Sequence, residues 1–375
     1  MATNPSDRGP APITGARLTI DLDALAANWA LLDRHAAGAE TAAAVKADAY
    51  GLGIEPVVRA LAAAGCRTFF IALPEEGIRV RRVARGATIY VLAGLIEGSA
   101  DTLVAHDLRP VLNSPAEIEE WAAHRRRGAP TGSAIHIDTG MNRLGLSLHE
   151  ALELSRDAAL LAAVAPSLIM SHLACSDTPG HPQNVRQLAL FREIRAEFPG
   201  IPASLANSAG VFLGEDYRFD LVRPGIALYG VAPVAGVENP MRTVVTAEAR
   251  ILAIREAEAG ETVGYGATET LKRASRLAIL SAGYADGYHR SAGSSDQHHG
   301  AYVMIRGARA PLAGRVSMDL TAVDVTDLRL AARGDWAELF GRNVPIESVA
   351  HAAGTIGYEF LTGLGRRYAR TYRGG

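Results

Sequence analysis

The stretch Ala43-Ala44-Val45-Lys46-Ala47-Asp48-Ala49-Tyr50-Gly51 opens as an apolar, strand-like run and closes in a turn, with one lysine at its centre. Burying an ammonium in such a run costs on the order of several kcal/mol unless it is paired or neutralised. Desolvation also lowers a lysine's pKa and makes its amine nucleophilic. One common use of such an amine is a Schiff base with a carbonyl compound. The plain alternative is a side chain that snorkels from a strand end. What surrounds the stretch decides between the two.

Outward from this run, short apolar segments alternate with longer Ala/Leu/Arg/Glu-rich ones. The strand-like segments are 41–47, 68–73, 88–93, 109–112, 133–138, 167–173, 202–206 and 220–229. Amphipathic helical stretches lie between them, such as Pro74 to Arg85, Ser114 to Arg127 and His149 to Ala163. Ser114 followed by Pro115 and Glu117 is a helix N-cap with proline at the first helical position. Strands alternating with helices make βαβ units and a parallel sheet. Eight repeats over roughly 200 residues predict a closed (β/α)8 barrel, with an open sheet as the alternative if one strand is miscounted.

The pattern changes after about residue 240. Segments 243–254, 276–282, 301–306, 311–313, 319–325 and 335–340 are strand-like and separated by Gly, Pro and Asp turns, with a short helix at 346–353. This predicts a mainly antiparallel β domain over 241–375, after a barrel over 16–240 and a loose tail over 1–15. The boundary falls near Val237-Glu238-Asn239-Pro240.

The whole chain of 375 residues has room for both domains. Its net charge of −2 carries no basic footprint for nucleic acid. No apolar run reaches the roughly 18 residues of a membrane span, and the first fifteen residues lack a signal-peptide pattern. Two cysteines, Cys66 and Cys175, make no disulfide framework, which fits a cytoplasmic protein. His298-His299 has no carboxylate or cysteine set at metal spacing, so no metal site is expected.

A barrel of this kind carries its chemistry at the C-terminal ends of its strands. Lys46, Asp48 and Tyr50 follow the first run. Asp138, Asn142 and Arg143 follow the fifth, His172 ends the sixth, Asn207 and Ser208 end the seventh, and Arg223-Pro224-Gly225-Ile226 lies in the eighth. Each has a structural reading as well: a satisfied histidine, a turn or cap at Asn-Ser-Ala-Gly, a loop brace at Arg-Pro-Gly. Their common location is what joins them.

These residues fall in motifs that resemble the alanine racemase family: Ala-Val-Lys-Ala-Asp-Ala-Tyr-Gly (44–51), Asp-Thr-Gly-Met-Asn-Arg-Leu-Gly (138–145), Ser-His-Leu-Ala (171–174), Asn-Ser-Ala (207–209), Arg-Pro-Gly-Ile-Ala-Leu-Tyr-Gly (223–230), Val-Gly-Tyr-Gly-Ala-Thr (263–268), Gly-Tyr-Ala-Asp-Gly (283–287) and Gly-Arg-Val-Ser-Met-Asp (314–319). The resemblance covers nearly everything after the tail. It implies a pyridoxal 5'-phosphate (PLP) enzyme that interconverts L- and D-alanine, with Lys46 carrying the cofactor. The phosphate would be held by Tyr50, Ser208, Tyr358 and the backbone N–H groups of Gly225 and Ile226, with Asn207 beside them. His172 would lie against the cofactor ring and Arg223 would face its nitrogen. Arginine there can only donate a hydrogen bond, so the ring nitrogen would stay unprotonated and transamination would be suppressed.

The resemblance further implies two bases, Lys46 on one face of the substrate and Tyr265 on the other. Tyr265 would come from the second subunit of a homodimer. Arg143 and the Met318 N–H would receive the substrate carboxylate, with Tyr265 and Tyr358 narrowing the pocket and Asp319 and Tyr284 in support. One position departs from the commonest pattern: where many members carry a carbamylated lysine that braces the arginine, this chain has His136. Alternation puts His136 and Asp138 on one strand face and Ile135 and Ile137 on the other. Histidine supplies no anion, so Arg143 needs another brace, a bound anion, or a looser hold. Competing readings are a racemase of broader or serine specificity, a decarboxylase on the same plan, and a non-catalytic PLP-binding barrel. The C-terminal extension with Tyr265 and Met318 speaks against the last. D-Alanine for peptidoglycan is the simplest purpose.

Overall fold

The computed structural model describes residues 14–375, so residues 1–13 of the expected tail lie outside it. It divides the chain into two units. One is Leu22–Arg242 with the last two residues; the other joins the described residues before Leu22 to Thr243–Arg373.

The first unit is built on a parallel sheet of seven strands, from Ala43–Ala44 through Thr68–Ile71, Thr88–Val91, Arg109–Leu112, Ser133–His136 and Pro166–Met170 to Ala203–Ser204. The strand Leu221–Val222 closes it. Asp220 N–H donates to the Ala203 carbonyl at 3.0 Å, and Ala42 N–H donates to the Val222 carbonyl at 3.0 Å. Leu221–Val222 also pairs in parallel with Glu40–Thr41, which runs on into Ala43–Ala44. The ring therefore has eight staves, as the spacing of apolar runs predicts. Its interior is filled by residues two apart on successive strands, among them Ala42 and Ala44, Phe70, Tyr90, Val111 and Leu168.

The helices between strands follow local chemistry. Ser114 Oγ accepts the Glu117 N–H at 3.3 Å and starts the helix Pro115–Arg125. The single helix expected over 149–163 is two, Leu148–Arg156 and Ala158–Val164, because Asp157 turns the chain and its carboxylate caps Leu160 N–H at 2.9 Å. The run 220–229 is only briefly a strand. Pro224 and Gly225 end it, and Ile226–Tyr229 forms a 3-10 turn.

The second unit is an eight-stranded, mainly antiparallel sheet. Val245–Ala257 pairs with Ser275–Leu280 and Trp336–Phe340, and Tyr302–Ile305 pairs with Ala308–Pro311. The expected strand at 311–313 begins earlier, at Ala308. Val263, Leu271, Leu277 and Ala313 form a small core there. The strand Ala16–Asp21 belongs to this sheet rather than to the barrel, where the sequence reading began it. It runs antiparallel to Val245–Ala257 and parallel to Ala369–Arg373. Alternating burial with Leu18 and Ile20 inward suits any half-covered sheet, so six residues do not reveal which sheet they join.

Candidate active site

Lys46 is half-buried at the end of the strand Ala43–Ala44. Directly after it, Ala47, Asp48, Ala49 and Tyr50 all take left-handed backbone angles, with φ of 54°, 53°, 54° and 55°. A left-handed turn of non-glycine residues costs roughly 1–2 kcal/mol per residue, so other contacts must hold it. Asp48 supplies them: its carboxylate accepts the Ile54 N–H at 2.9 Å and pairs with Arg79 at 2.8 Å, while Arg79 grips Glu55 through two hydrogen bonds of 2.7 and 2.6 Å. Glu76 accepts the Asp48 N–H at 3.3 Å and the Ala72 N–H at 2.8 Å. Burial and the positive charge of Arg143 push the Lys46 amine below its ordinary pKa, against a weaker opposing pull from Glu76. The lysine that looked out of place is thus poised toward its neutral, nucleophilic form.

Beside this strand end lies a cradle of donors. Ser208 Oγ accepts the N–H groups of Gly225 at 2.8 Å and Ala227 at 3.3 Å. A side chain at 225 would place its Cβ 2.3 Å from the Tyr50 hydroxyl and 3.3 Å from Ala44 Cβ, so any other residue would displace the Tyr50 phenol. Tyr50 stacks on Tyr229, with ring centroids 4.5 Å apart, and Tyr229 in turn donates to the Ala44 carbonyl at 2.9 Å. Among the described residues no acceptor takes the Ile226 N–H. A hydroxyl, a phenol and successive N–H groups opening a 3-10 turn make a neutral donor set for a phosphate. The residues fit a phosphorylated cofactor held close to Lys46.

Arg223 is buried across the barrel mouth. It donates to Ser204 Oγ, to the Ser171 carbonyl at 2.6 Å and to His172 Nδ1 at 3.4 Å. Burial lowers its pKa to about 9, which leaves it charged at neutral pH. Because a guanidinium only donates, His172 Nδ1 accepts and Nε2 carries the proton. His172 stays neutral: desolvation first, then the charges of Arg223 and Arg143, hold its pKa well below the usual value.

His136 faces inward beside Ala134, as alternation predicts. Asn113 donates Nδ2–H to the Val111 carbonyl at 2.7 Å, which turns its Oδ1 toward His136 Nδ1 at 2.8 Å. His136 therefore holds its proton on Nδ1 and is neutral. Burial and the Arg223 charge lower its pKa to about 4, despite the opposing influence of Asp138. The Asp138 carboxylate does not extend an inward polar pair. It accepts the N–H groups of Gly140, Met141 and Asn142 at 2.8 Å each and so shapes the loop that carries Arg143. Arg143 itself is exposed at the tip and has no hydrogen-bonding partner among the described residues. Asn207 acts as a cap through its Oδ1, which accepts from Ser176 Oγ at 2.8 Å and from Gly210 N–H at 3.0 Å.

Within the second unit, Tyr265 is 68% exposed on a turn in which Gly264, Gly266 and Ala267 take positive φ. Arg315 packs against both of its glycines. Met318 is 53% exposed, and its carbonyl and that of Ser317 accept the N–H groups of Ala285 and Tyr284 at 3.0 Å, which sets Tyr284 next to Met318. Among the described residues the Met318 N–H itself has no acceptor. Asp319 pairs with Arg367 at 2.6 Å, and Arg367 is anchored on buried Asp286 by two bonds of 2.7 Å. Tyr358, 42% exposed, stands on the short helix Gly357–Thr362. His298 Nε2 lies 3.0 Å from the Ala352 carbonyl.

Glu76, Asn113, Gln187 and Ser204 were not singled out from the sequence. Glu76 and Ser114's neighbour Glu117 occupy the same third helical position, a capping signal that says nothing of a distant lysine. Nothing in the local sequence distinguishes the other three from their polar and apolar neighbours, and only the assembled barrel gives them partners.

Two family models match the chain: alanine racemase, N-terminal domain, over residues 20–233, and alanine racemase, C-terminal domain, over 244–372. An alanine racemase from Rhizobium meliloti (strain 1021) is 51% identical over 368 residues, covering 96% of this chain and 97% of its own. A biosynthetic alanine racemase from Agrobacterium fabrum is 53% identical over 364 residues, covering 95% and 93%. The crystal structure of alanine racemase from Bartonella henselae with covalently bound pyridoxal phosphate matches at a TM-score of 0.91 and 40% identity, over 96% of this chain and 100% of that one. Barrel, β domain and both matches run the length of the described chain, which belongs to the alanine racemase family.

Proposed function

We infer that this chain is a PLP-dependent alanine racemase, interconverting L- and D-alanine. The observation that carries the reading is the half-buried, pKa-lowered Lys46 beside the Tyr50–Ser208–Gly225 cradle, on the same strand ends. When bound, PLP withdraws electrons from the α-carbon of an amino acid and acidifies its C–H. The protein does the rest. Lys46 holds the cofactor, then takes or returns the α-proton on one face. Tyr50, Ser208 and the N–H groups of Gly225 and Ile226 hold the phosphate. His172 packs against the ring, and Arg223, charged yet able only to donate, keeps the ring nitrogen from gaining a proton.

Tyr265 serves the other face. Its exposure, with that of Met318, Tyr284 and Tyr358, supports a surface completed by a second copy, so that each site takes Tyr265 and the Met318 N–H from a partner subunit. Arg143 and that N–H receive the carboxylate. The enzyme is cytoplasmic in this reading and supplies D-alanine for cell-wall peptidoglycan. No helix among the described residues is long and apolar enough to cross a membrane.

The test pairs a spectrum with an assay. Purified protein should absorb near the visible edge, racemise alanine much faster than serine, and after borohydride carry the cofactor on Lys46. A label on Lys272, the other lysine of the sequence, or a colourless protein without racemase activity would refute the reading.

A further inference from the structure

The loop carrying Arg143 and the segment carrying His172 are both held by one helix, Pro182–Ala196. The first loop is pinched at its base, where Leu146 N–H donates to the His136 carbonyl and Asp138 N–H to the Leu146 carbonyl, each at 2.8 Å. Asp138 braces it from within. From outside, Gln183 Nε2 donates to the Gly140 carbonyl at 2.9 Å. The fit is tight, for a Cβ on Gly140 would stand 2.5 Å from that nitrogen. One helical turn later, fully buried Gln187 splits its two donors: one goes to Thr139 Oγ1 at 3.2 Å, in the Arg143 loop, and one to the His172 carbonyl at 2.8 Å. Its Oε1 accepts the Ala174 N–H at 2.9 Å. Thr139 Oγ1 also meets Ser171 Oγ at 2.8 Å and joins the two segments directly.

This helix otherwise buries Leu188, Phe191 and Ile194, together with Asn184, whose Nδ2 donates to the Cys175 and Thr178 carbonyls. A buried amide needs its partners, since each unmet polar group is expensive, and leucine would have served packing alone. Here all three hydrogen-bonding groups of Gln187 are used, and they connect exactly two backbone segments, those of His172 and Arg143.

We propose that Gln183 and Gln187 are positioning residues that set the carboxylate-binding arginine in register with the ring-facing histidine. This deepens the reading above and rests on its assignments of Arg143 and His172. Gln183 touches only the substrate loop, so it acts on alanine binding. Gln187 touches both segments, so it acts on binding and on the cofactor's surroundings. A misplacement of about 1 Å is enough to matter at such a site.

The experiment compares the holoenzyme with Gln183→Met, Gln187→Met and a packing control on the same helix, Phe191→Leu. Gln183→Met should raise KM for alanine about five-fold, the factor one lost neutral hydrogen bond sustains, with kcat and the cofactor absorbance maximum unchanged. Gln187→Met should raise KM, lower kcat and shift that maximum. Hydrogen–deuterium exchange should quicken at residues 139–143 in both variants and at 171–174 only in Gln187→Met. Phe191→Leu should lower Tm and change none of these. An unchanged KM and unchanged exchange in Gln183→Met, or the same KM change in Phe191→Leu, overturns the proposal. If Gln187→Met does not fold, Gln183→Met, whose residue is half-buried with one bond, decides alone. If Arg143→Leu leaves KM unaltered, the assignment of Arg143 fails, whereas the exchange pattern still judges the clamp.

Discussion

The barrel and the C-terminal unit carry their functional residues in opposite ways. At the barrel mouth, His136 and Arg223 are buried and His172 is half-buried, and each has its protonation state set by desolvation and by a named hydrogen bond. In the C-terminal unit, Tyr265, Met318 and Tyr284 stand in the open on turns and a 3-10 segment, and Tyr358 on a short helix, with glycines, Arg315 and the Arg367–Asp286 pair beside them. The first arrangement makes chemistry from desolvation, which is where electrostatic interactions are strong. The second leaves large apolar and phenolic side chains facing water, where they do little until another surface covers them. In the proposed reading the buried set is complete within its own chain, while the exposed set is completed by a second copy.

The largest expected effect breaks the comparison directly. Lys46→Ala and Tyr265→Ala should each reduce racemisation by about 10³-fold or more, as removal of an essential acid–base group does. Mixed after verified subunit exchange, the two inactive proteins should regain activity. Half of randomly formed dimers are mixed, and in each of these one site has both bases, so about a quarter of all sites should recover. Tyr265 acting within its own chain would give no recovery at all.

Arg223→Glu sharpens the barrel side. A carboxylate facing the ring would protonate its nitrogen, so racemisation should fall, transamination should rise and a new long-wavelength absorbance should develop with alanine. The expected loss is about 10²-fold, within the range for one misplaced electrostatic group. An unchanged spectrum and product ratio would mean that Arg223 does not face the ring.

A smaller effect is on stability. The folded pKa of His136, about 4, lies below the ordinary value of 6.5, so the unfolded chain binds the proton more readily between them. Stability contributed by neutral His136 is therefore present above pH 6.5 and is lost as pH falls toward 4. The full difference is about 3 kcal/mol, from 1.36 kcal/mol per pKa unit. Urea unfolding at pH 7.5 and pH 5 should show a drop that His136→Gln reduces; equal drops in both proteins would place the titration elsewhere.

The smallest effect is none. With His136 where many relatives have a carbamylated lysine, activity should be indifferent to bicarbonate. A bicarbonate-dependent KM would reveal a carbamylated Lys272 or another anion-bearing group beside Arg143.

Repetition made the barrel legible. Eight apolar runs at regular spacing specify a parallel sheet, because each strand must be covered on both faces and each crossover must supply a helix. Lys46 was legible for the opposite reason, as a cation breaking an apolar run. Residue type and motif order also put forward Arg143, His172, Arg223, Ser208 and Gly225 as candidates. The strand Ala16–Asp21 was not assignable, since its alternation suits any half-covered sheet and its partners lie more than 200 residues away. Nor did the pattern disclose the left-handed turn at 47–50, because no glycine or asparagine marks those four residues. Propensity alone argues against that conformation, and only the contacts of Asp48, Arg79 and Glu76 make it tenable.

By itself, then, the sequence determined the fold class, the lysine and the order of the motifs, all of which depend on local pattern and residue chemistry. The tertiary structure decided which proton each histidine keeps, that Asp138 shapes the loop carrying Arg143, and that Gln187 joins two segments. These depend on groups far apart in the chain meeting in a space without water, where one hydrogen-bond partner or one nearby charge outweighs any preference written in the neighbouring residues.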